Sequence, residues 1–369
     1  MRTKMSGLLP LAAALASAGI VPVAMAAPVS YEMTLSTHSG FAGGGGMSGM
    51  LGMMSGRGSS VSRMMDLRLT SPVDLAGGAS AEHIVPEAMR IGPVLPLRGE
   101  RRGKGEGGAA DDQGGKLLLY WGCGASVPAG QPEVIDLRTI DSRVSPEVAA
   151  MARHSRQGKG GADGGESLPP RTLWWPQGDP SGGTVPADAS AVGEHLVRTS
   201  FMPQEIRYAL DQQMDFLEPM GLRAGSGSLS AAIPLQWAAL ARARGYNLNA
   251  VGAANEREVI IWMASRNQAP MLPASQNTCT IPAGIFARTQ GAMLMGEALG
   301  PTRSFAHPPQ KAGEKKPPIW TARVRVNSFD SALLGMGDMA REAAGDAAAD
   351  SVVPGGATIM KSLKGLFGN

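Results

Sequence analysis

Ile233-Pro234-Leu235-Gln236-Trp237 and Tyr246-Asn247-Leu248-Asn249-Ala250 are the stretches on which the reading of this 369-residue chain turns. In both, apolar and polar side chains alternate, and one short connection, Ala238 to Gly245, separates them. A period of two places alternate side chains on opposite faces of an extended chain, so each run predicts a half-buried strand. Glu258-Val259-Ile260-Ile261-Trp262-Met263, Thr280-Ile281-Pro282-Ala283-Gly284 and Ala292 to Leu299 follow, with turn signals between them. Short strands at such regular spacing predict an antiparallel β-sandwich.

This segment, about residues 225–305, resembles a fibronectin type III domain. L-x-W at Leu235 to Trp237 and G-Y-x-L at Gly245 to Leu248 are similar to that family's second and third strands. The resemblance implies that Trp237 and Tyr246 are core aromatics. Ile281-Pro282-Ala283-Gly284 is similar to the passage before the family's penultimate strand. The family's usual Tyr beyond that point has no counterpart here, and Met293 and Met295 stand nearby instead. The resemblance implies a spacer or a module that binds protein or glycan, because the fold by itself assigns no activity. The layout of the whole chain is also similar to that of exported proteobacterial proteins, a likeness that brings no activity with it.

Outside this segment the pattern is again β. Tyr31, Met33 and Leu35 alternate with Glu32, Thr34 and Ser36, and Met65, Leu67 and Leu69 with Asp66, Arg68 and Thr70. Ile206, Tyr208 and Leu210 alternate with Glu205, Arg207 and Ala209, and Ala322, Val324 and Val326 with Arg323, Arg325 and Asn327. Leu117 to Trp121 is continuously apolar, which predicts a strand buried on both faces. Gly-rich or polar stretches at about 38–60, 99–115 and 153–170 lack the apolar periodicity that offsets backbone entropy and are read as loops without fixed structure. A short helix is expected at Ser145-Pro146-Glu147, and the Ala-rich residues 331–350 are read as helical. The expectation is therefore a mainly β chain of antiparallel sandwiches, the C-terminal one fibronectin type III-like, with long Gly-rich loops. Its organisation is a leader at 1–26, a β-rich region at 27–222, the fibronectin-like unit at 223–327 and a short, partly helical tail at 328–369.

Arg2 and Lys4 precede an uncharged apolar run from Gly7 to Val23, and Ala24-Met25-Ala26 supplies the small residues that signal peptidase requires. Pro10 and Pro22 interrupt the run and no basic cluster follows it, which argues against a membrane anchor. A periplasmic or secreted location is expected, with no transmembrane span. The chain carries 34 basic and 31 acidic residues, a balance that gives no electrostatic footprint for nucleic acid. Cys123 and Cys279 are the only two cysteines. In an oxidising compartment they either pair across a long loop or sit as two separate buried thiols.

No catalytic constellation stands out. Gly103 to Gly108 satisfies G-x-G-x-x-G, yet it follows Arg101-Arg102 and precedes a polar Gly run, so composition accounts for it. The five histidines lack metal-site spacing, and neither G-x-S-x-G nor H-E-x-x-H is present. Met47, Met50, Met53 and Met54, downstream of His38, are the candidate metal ligands, because soft thioethers select Cu(I). Otherwise no cofactor is expected. Trp174-Trp175 is the candidate ligand platform, since adjacent strand residues face opposite sides and one indole would face solvent. In the tail, Met360, Leu363 and Phe367 would share a helical face beside Lys361 and Lys364, suited to a partner or a membrane surface, or to packing on its own domain. The leading expectation is a non-enzymatic binding or scaffolding protein of the cell envelope, with an envelope protein or glycan as partner. Copper handling and an unrecognised hydrolase are the alternatives.

Overall fold

The computed structural model describes residues 27–40, 61–99, 115–136, 171–177, 183–255, 257–266, 271–310 and 317–335. The expected leader, the Met cluster, the helix at Ser145, nearly all of the second and third loops and the tail from residue 336 lie outside the described residues.

The described residues are mainly β, with two short 3-10 turns at Glu87–Met89 and Gln212–Met214. The first half holds β1 (Val29–Gly40), β2 (Ser62–Thr70), β3 (Ser80–Ile84), β4 (Val94–Arg98), β5 (Lys116–Trp121), β6 (Glu133–Asp136), β7 (Thr172–Trp175), β8 (Thr184–Val185), β9 (Gly193–Thr199) and β10 (Ile206–Leu210). The second half holds β11 (Arg223–Ala224), β12 (Ile233–Gln236), β13 (Gly245–Asn255), β14 (Glu258–Met263), β15 (Leu272–Pro273), β16 (Thr278–Ile281), β17 (Ala292–His307) and β18 (Trp320–Leu334). Fifteen of these form one sheet in the order β10-β9-β3-β4-β7-β2-β1-β18-β17-β13-β14-β5-β6, with β15 beside β13 and β8 beside β2. The remaining three form a small sheet, β11-β12-β16.

Hydrogen bonding runs without a break across the boundary read at residues 222/223. β18 lies between β17 and β1, so the strand at 321–327 serves both halves. In return, the first half donates β5 and β6 to the edge beyond β14. Two of these junctions, β1 with β18 and β5 with β14, are parallel, which corrects the expectation of purely antiparallel pairing. Parallel neighbours need long connections, and here much of the chain intervenes.

Two boundaries also differ from the sequence reading. β1 continues through His38 to Gly40, pairing with Phe329 to Ser331, where a loop was expected from residue 38. β18 continues to Leu334, where a partly helical tail was expected from 328, with its helix from 331. In both, the inward positions are small and polar: Thr37, Ser39, Ser328 and Asp330 are buried. The Thr37 hydroxyl donates to the Leu217 carbonyl at 2.7 Å, and the Asp330 carboxylate accepts from the Leu222 and Ser331 N–H groups at 2.8 Å each. Period two persists, but hydroxyls and a carboxylate carry it.

The small sheet lies against the second half of the large one. Ile233, Leu235, Cys279 and Ile281 share a buried cluster with Tyr246, Leu248, Ala250, Ile260 and Trp262. The Trp237 and Tyr246 rings meet edge to face at 5.4 Å, and the Leu240 N–H donates to the Tyr246 hydroxyl at 2.9 Å. The chain after β5 stitches the layers together. The Gly122 carbonyl accepts from the Trp262 indole at 2.9 Å, the Gly124 N–H donates to Thr280, and Cys123 is disulfide-bonded to Cys279 with Cα atoms 5.3 Å apart. At the other end the sheet curls. Tyr208 of β10 stacks on Phe305 of β17 at 5.1 Å, and Arg303 donates twice to Asp211, at 2.9 and 3.1 Å. The free side of β10 is thereby brought back towards β17 and β18, around the first half's core.

Candidate functional site

Three places gather polar or aromatic side chains beyond what packing requires. The first lies inside the curled half. β1, β3 and β9 point Tyr31, His83 and His195 inward, and all three are fully buried. Tyr31 Oη lies 2.9 Å from His83 Nδ1, His83 Nε2 lies 3.0 Å from His195 Nδ1, and His195 Nε2 lies 2.8 Å from the Ala191 carbonyl oxygen. A carbonyl can only accept, and this fixes the whole chain. His195 Nε2 carries a proton, so the Nδ1 of neutral His195 accepts from His83 Nε2–H, and His83 Nδ1 accepts from the Tyr31 hydroxyl. Burial pushes the His195 imidazole down to about 4, opposed by its bond to Ala191. Burial, with the neighbouring His195, lowers His83 well below its usual range. Burial, and then nearby Tyr208, raises the Tyr31 phenol. Tyr208 stacks on His195 at 5.2 Å and directs its own hydroxyl to Met33 Sδ at 3.3 Å. Every proton in the chain is committed and its end is a carbonyl, so the cluster ties β1 to the paired strands β3 and β9 through the core.

The second place is on the outer face, the side of the large sheet turned away from that core. Trp174 and Trp175 sit on β7 as adjacent residues, and the sheet separates them. Trp175 is opposite Leu67, on the inward side, and packs on the core. Trp174 is opposite Arg68 on β2 and Arg98 on β4. Arg68 is opposite Glu32 on β1, and Glu32 is opposite Arg323 on β18. Directly opposed residues share a face, so Arg98, Trp174, Arg68, Glu32 and Arg323 form one row across five strands. Arg98 and Arg323 are exposed and Trp174 is half-buried. Arg325, two residues along β18, donates to Glu32 at 3.1 Å. Arg98 and Arg323 form no ion pair among the described residues.

The third place is farther along the same outer face. Ser36 Oγ and His38 Nε2 lie 2.9 Å apart, and the His38 ring stacks on Phe329 at 5.1 Å. Beside Phe329 in register, Glu297 accepts from Asn247 at 3.3 Å and from Asn327 at 3.1 Å. Burial lowers the His38 imidazole and raises the Glu297 carboxyl. Both groups are spoken for by uncharged neighbours. His38, expected in a flexible loop upstream of the methionines, is thus held on a strand. Met47, Met50, Met53 and Met54 lie outside the described residues. Among the described residues no group of three or more His, Cys, Asp or Glu side chains is placed to hold a metal ion, and no helix is long and apolar enough to cross a membrane.

The sequence reading missed the Tyr31–His83–His195 chain, although the signal was present. His83 alternates in register with Ala81 and Val85, and His195 with Val197, so each histidine occupies an inward position of its strand. The row around Trp174 was half visible, since the indole was singled out but its Arg neighbours come from strands distant in sequence. No protein-family model matches the chain, and no curated protein matches it.

Proposed function

We propose that this chain is an exported, non-enzymatic binding or scaffolding protein of the bacterial cell envelope, and that its C-terminal half is a fibronectin type III-like sandwich. The observation that carries the binding reading is the outer-face row: an indole between two guanidinium groups, held on paired strands. The buried titratable groups, by contrast, satisfy one another.

Strand order supports the sandwich reading. Counting β15 as an addition, the first, second and fifth strands of the segment (β11, β12, β16) share one sheet. The third, fourth, sixth and seventh stand in the order β14-β13-β17-β18 in the other. The Trp237–Tyr246 contact joins the two layers at the residues the family resemblance implies. Export is supported by the leader pattern and by the Cys123–Cys279 bridge, because structural disulfides persist in oxidising compartments.

The test is retention of a partner by the chain from Ala27 onward, immobilised and challenged with its own envelope extract and with a panel of purified glycans. Reproducible capture of one protein or one glycan class is the expected result. An empty column in both arms removes the reading.

A further inference from the structure

The geometry points to Cys123 as a site of thiol–disulfide exchange in the folded chain: an external disulfide donor enters through Cys123, and Cys279 closes the bridge from behind it. The two half-cystines stand in opposite surroundings. Cys279, on β16, is 6% exposed and shares a buried cluster with Ile233, Leu235 and Ile281. Cys123 is exposed, in a turn of small residues, Gly122-Cys123-Gly124-Ala125-Ser126, whose Ala125 and Ser126 are exposed as well. A Cβ added to Gly122, at φ +97°, would meet nothing within 4 Å. Open space therefore adjoins Cys123, and no large side chain in the turn screens it.

The turn is held by backbone bonds that do not involve sulfur. The Gly122 N–H donates to the Met263 carbonyl at 3.0 Å, the Gly124 N–H to Thr280 at 2.9 Å, and the Ala283 N–H to Ala125 at 3.1 Å. Thr280 follows Cys279 directly, so the bond from Gly124 keeps the two cysteines adjacent whether or not the bridge is closed. A folded, reduced chain thus presents one reachable thiol with its partner set behind it.

Exchange needs a thiolate to reach a disulfide sulfur, so access decides which cysteine reacts first. Cys123 gives up its proton to solvent and its thiolate attacks one sulfur of the donor. The Cys123–donor bond forms, the donor's own S–S bond breaks, and the donor's second sulfur leaves as a thiolate and is protonated. Cys279 then loses its proton and attacks Cys123 Sγ. The Cys123–Cys279 bond forms, the Cys123–donor bond breaks, and the donor's first sulfur leaves as a thiolate and is protonated in turn. The chain's thiols are oxidised to the bridge, and the donor disulfide is reduced to thiols. The reverse order would put the donor on Cys279, inside the apolar cluster, where it has no room.

The chain from Ala27 onward, reduced and freed of reductant in native buffer, tests this with glutathione disulfide as the donor. Peptide mapping of acid-quenched samples should find glutathione on Cys123 first, then its loss as the bridge appears, with none on Cys279. In native buffer Cys279→Ser, which leaves Cys123, should react with the chromogenic disulfide DTNB at least about tenfold faster than Cys123→Ser. Concentrated urea should abolish that difference. Glutathione found first on Cys279 would overturn the assignment, as would equal native rates for two folded variants or a bridge that forms only in urea. The mapping uses no variant, so it decides the matter even where a variant fails to fold.

Discussion

His83 Nε2 donates to His195 Nδ1 across 3.0 Å in the fully buried core between β3 and β9, and both imidazoles are neutral. Unfolding releases them to an ordinary value near 6.5, whereas in the fold burial holds His195 at about 4 and His83 well below its usual range. Below pH 6.5 the unfolded chain therefore takes up protons that the folded chain refuses. Stability contributed by this pair is intact above pH 6.5 and is lost as pH falls towards 4, by about 3 kcal/mol from His195 alone. Urea unfolding at pH 7.5 and 4.5 should show a lower midpoint in acid, and replacing both histidines by Gln should flatten the slope between those values. An equal slope in the variant would show that carboxylates alone govern acid sensitivity.

The direction of the proton chain predicts a contrast between two tyrosines. Tyr31→Phe keeps the ring but leaves His83 Nδ1 a buried acceptor with no donor, at a cost of about 1–3 kcal/mol. Tyr208→Phe leaves the His83 acceptor with its donor and removes a hydroxyl that is directed at a thioether sulfur, a weak acceptor, and interacts with the Tyr31 hydroxyl, so it should cost less than Tyr31→Phe. Denaturant midpoints of the two variants, compared at pH 7.5, check this, and equal losses would contradict the assigned polarity.

The Cys123–Cys279 bridge joins residues 156 apart and ties the chain after β5 to β16. In the chain-entropy account, closing a loop of this size restricts the unfolded state by about 5 kcal/mol. Cys123→Ser/Cys279→Ser should lower the thermal midpoint sharply. The wild-type chain melted with dithiothreitol should approach the variant, while the variant itself should not respond to reductant.

How far the fold could be read in advance depended on what occupied the inward positions. Ile233, Leu235, Tyr246 and Leu248 alternate with their neighbours, so β12 and β13 were legible from period, while β14 was legible as a continuous apolar run bounded by turn signals. The ends of β1 and β18 were not, because Ser39, Ser328 and Asp330 fill their inward sites and the local composition resembles a loop or a helix. The parallel pairings of β1 with β18 and β5 with β14 leave no local mark, since their partners lie far apart in sequence. Trp174 was legible as one of two adjacent indoles on opposite faces. Arg68 and Arg98 became its neighbours only through register.

Asp330 shows what the polar end of β18 contributes. Its carboxylate accepts the N–H of Leu222, which leads into β11, and that of Ser331 beside it. Gly40, at the end of β1, lies against the same group with φ +71°, where an added Cβ would collide with the Asp330 carboxylate and the Ser331 carbonyl. One buried side chain thus sets the approach of β1, β11 and β18. Asp330→Ala removes the acceptor of the buried Leu222 N–H and should cost about 1–3 kcal/mol. Asp330→Asn keeps an amide oxygen for one donor and should cost less. Gly40→Ala should be destabilising by more than about 1 kcal/mol, because it meets both an unfavourable backbone angle and occupied space. Urea midpoints for the three variants should rank Asn above Ala at 330. A neutral Gly40→Ala would show that β1 ends before this contact is made.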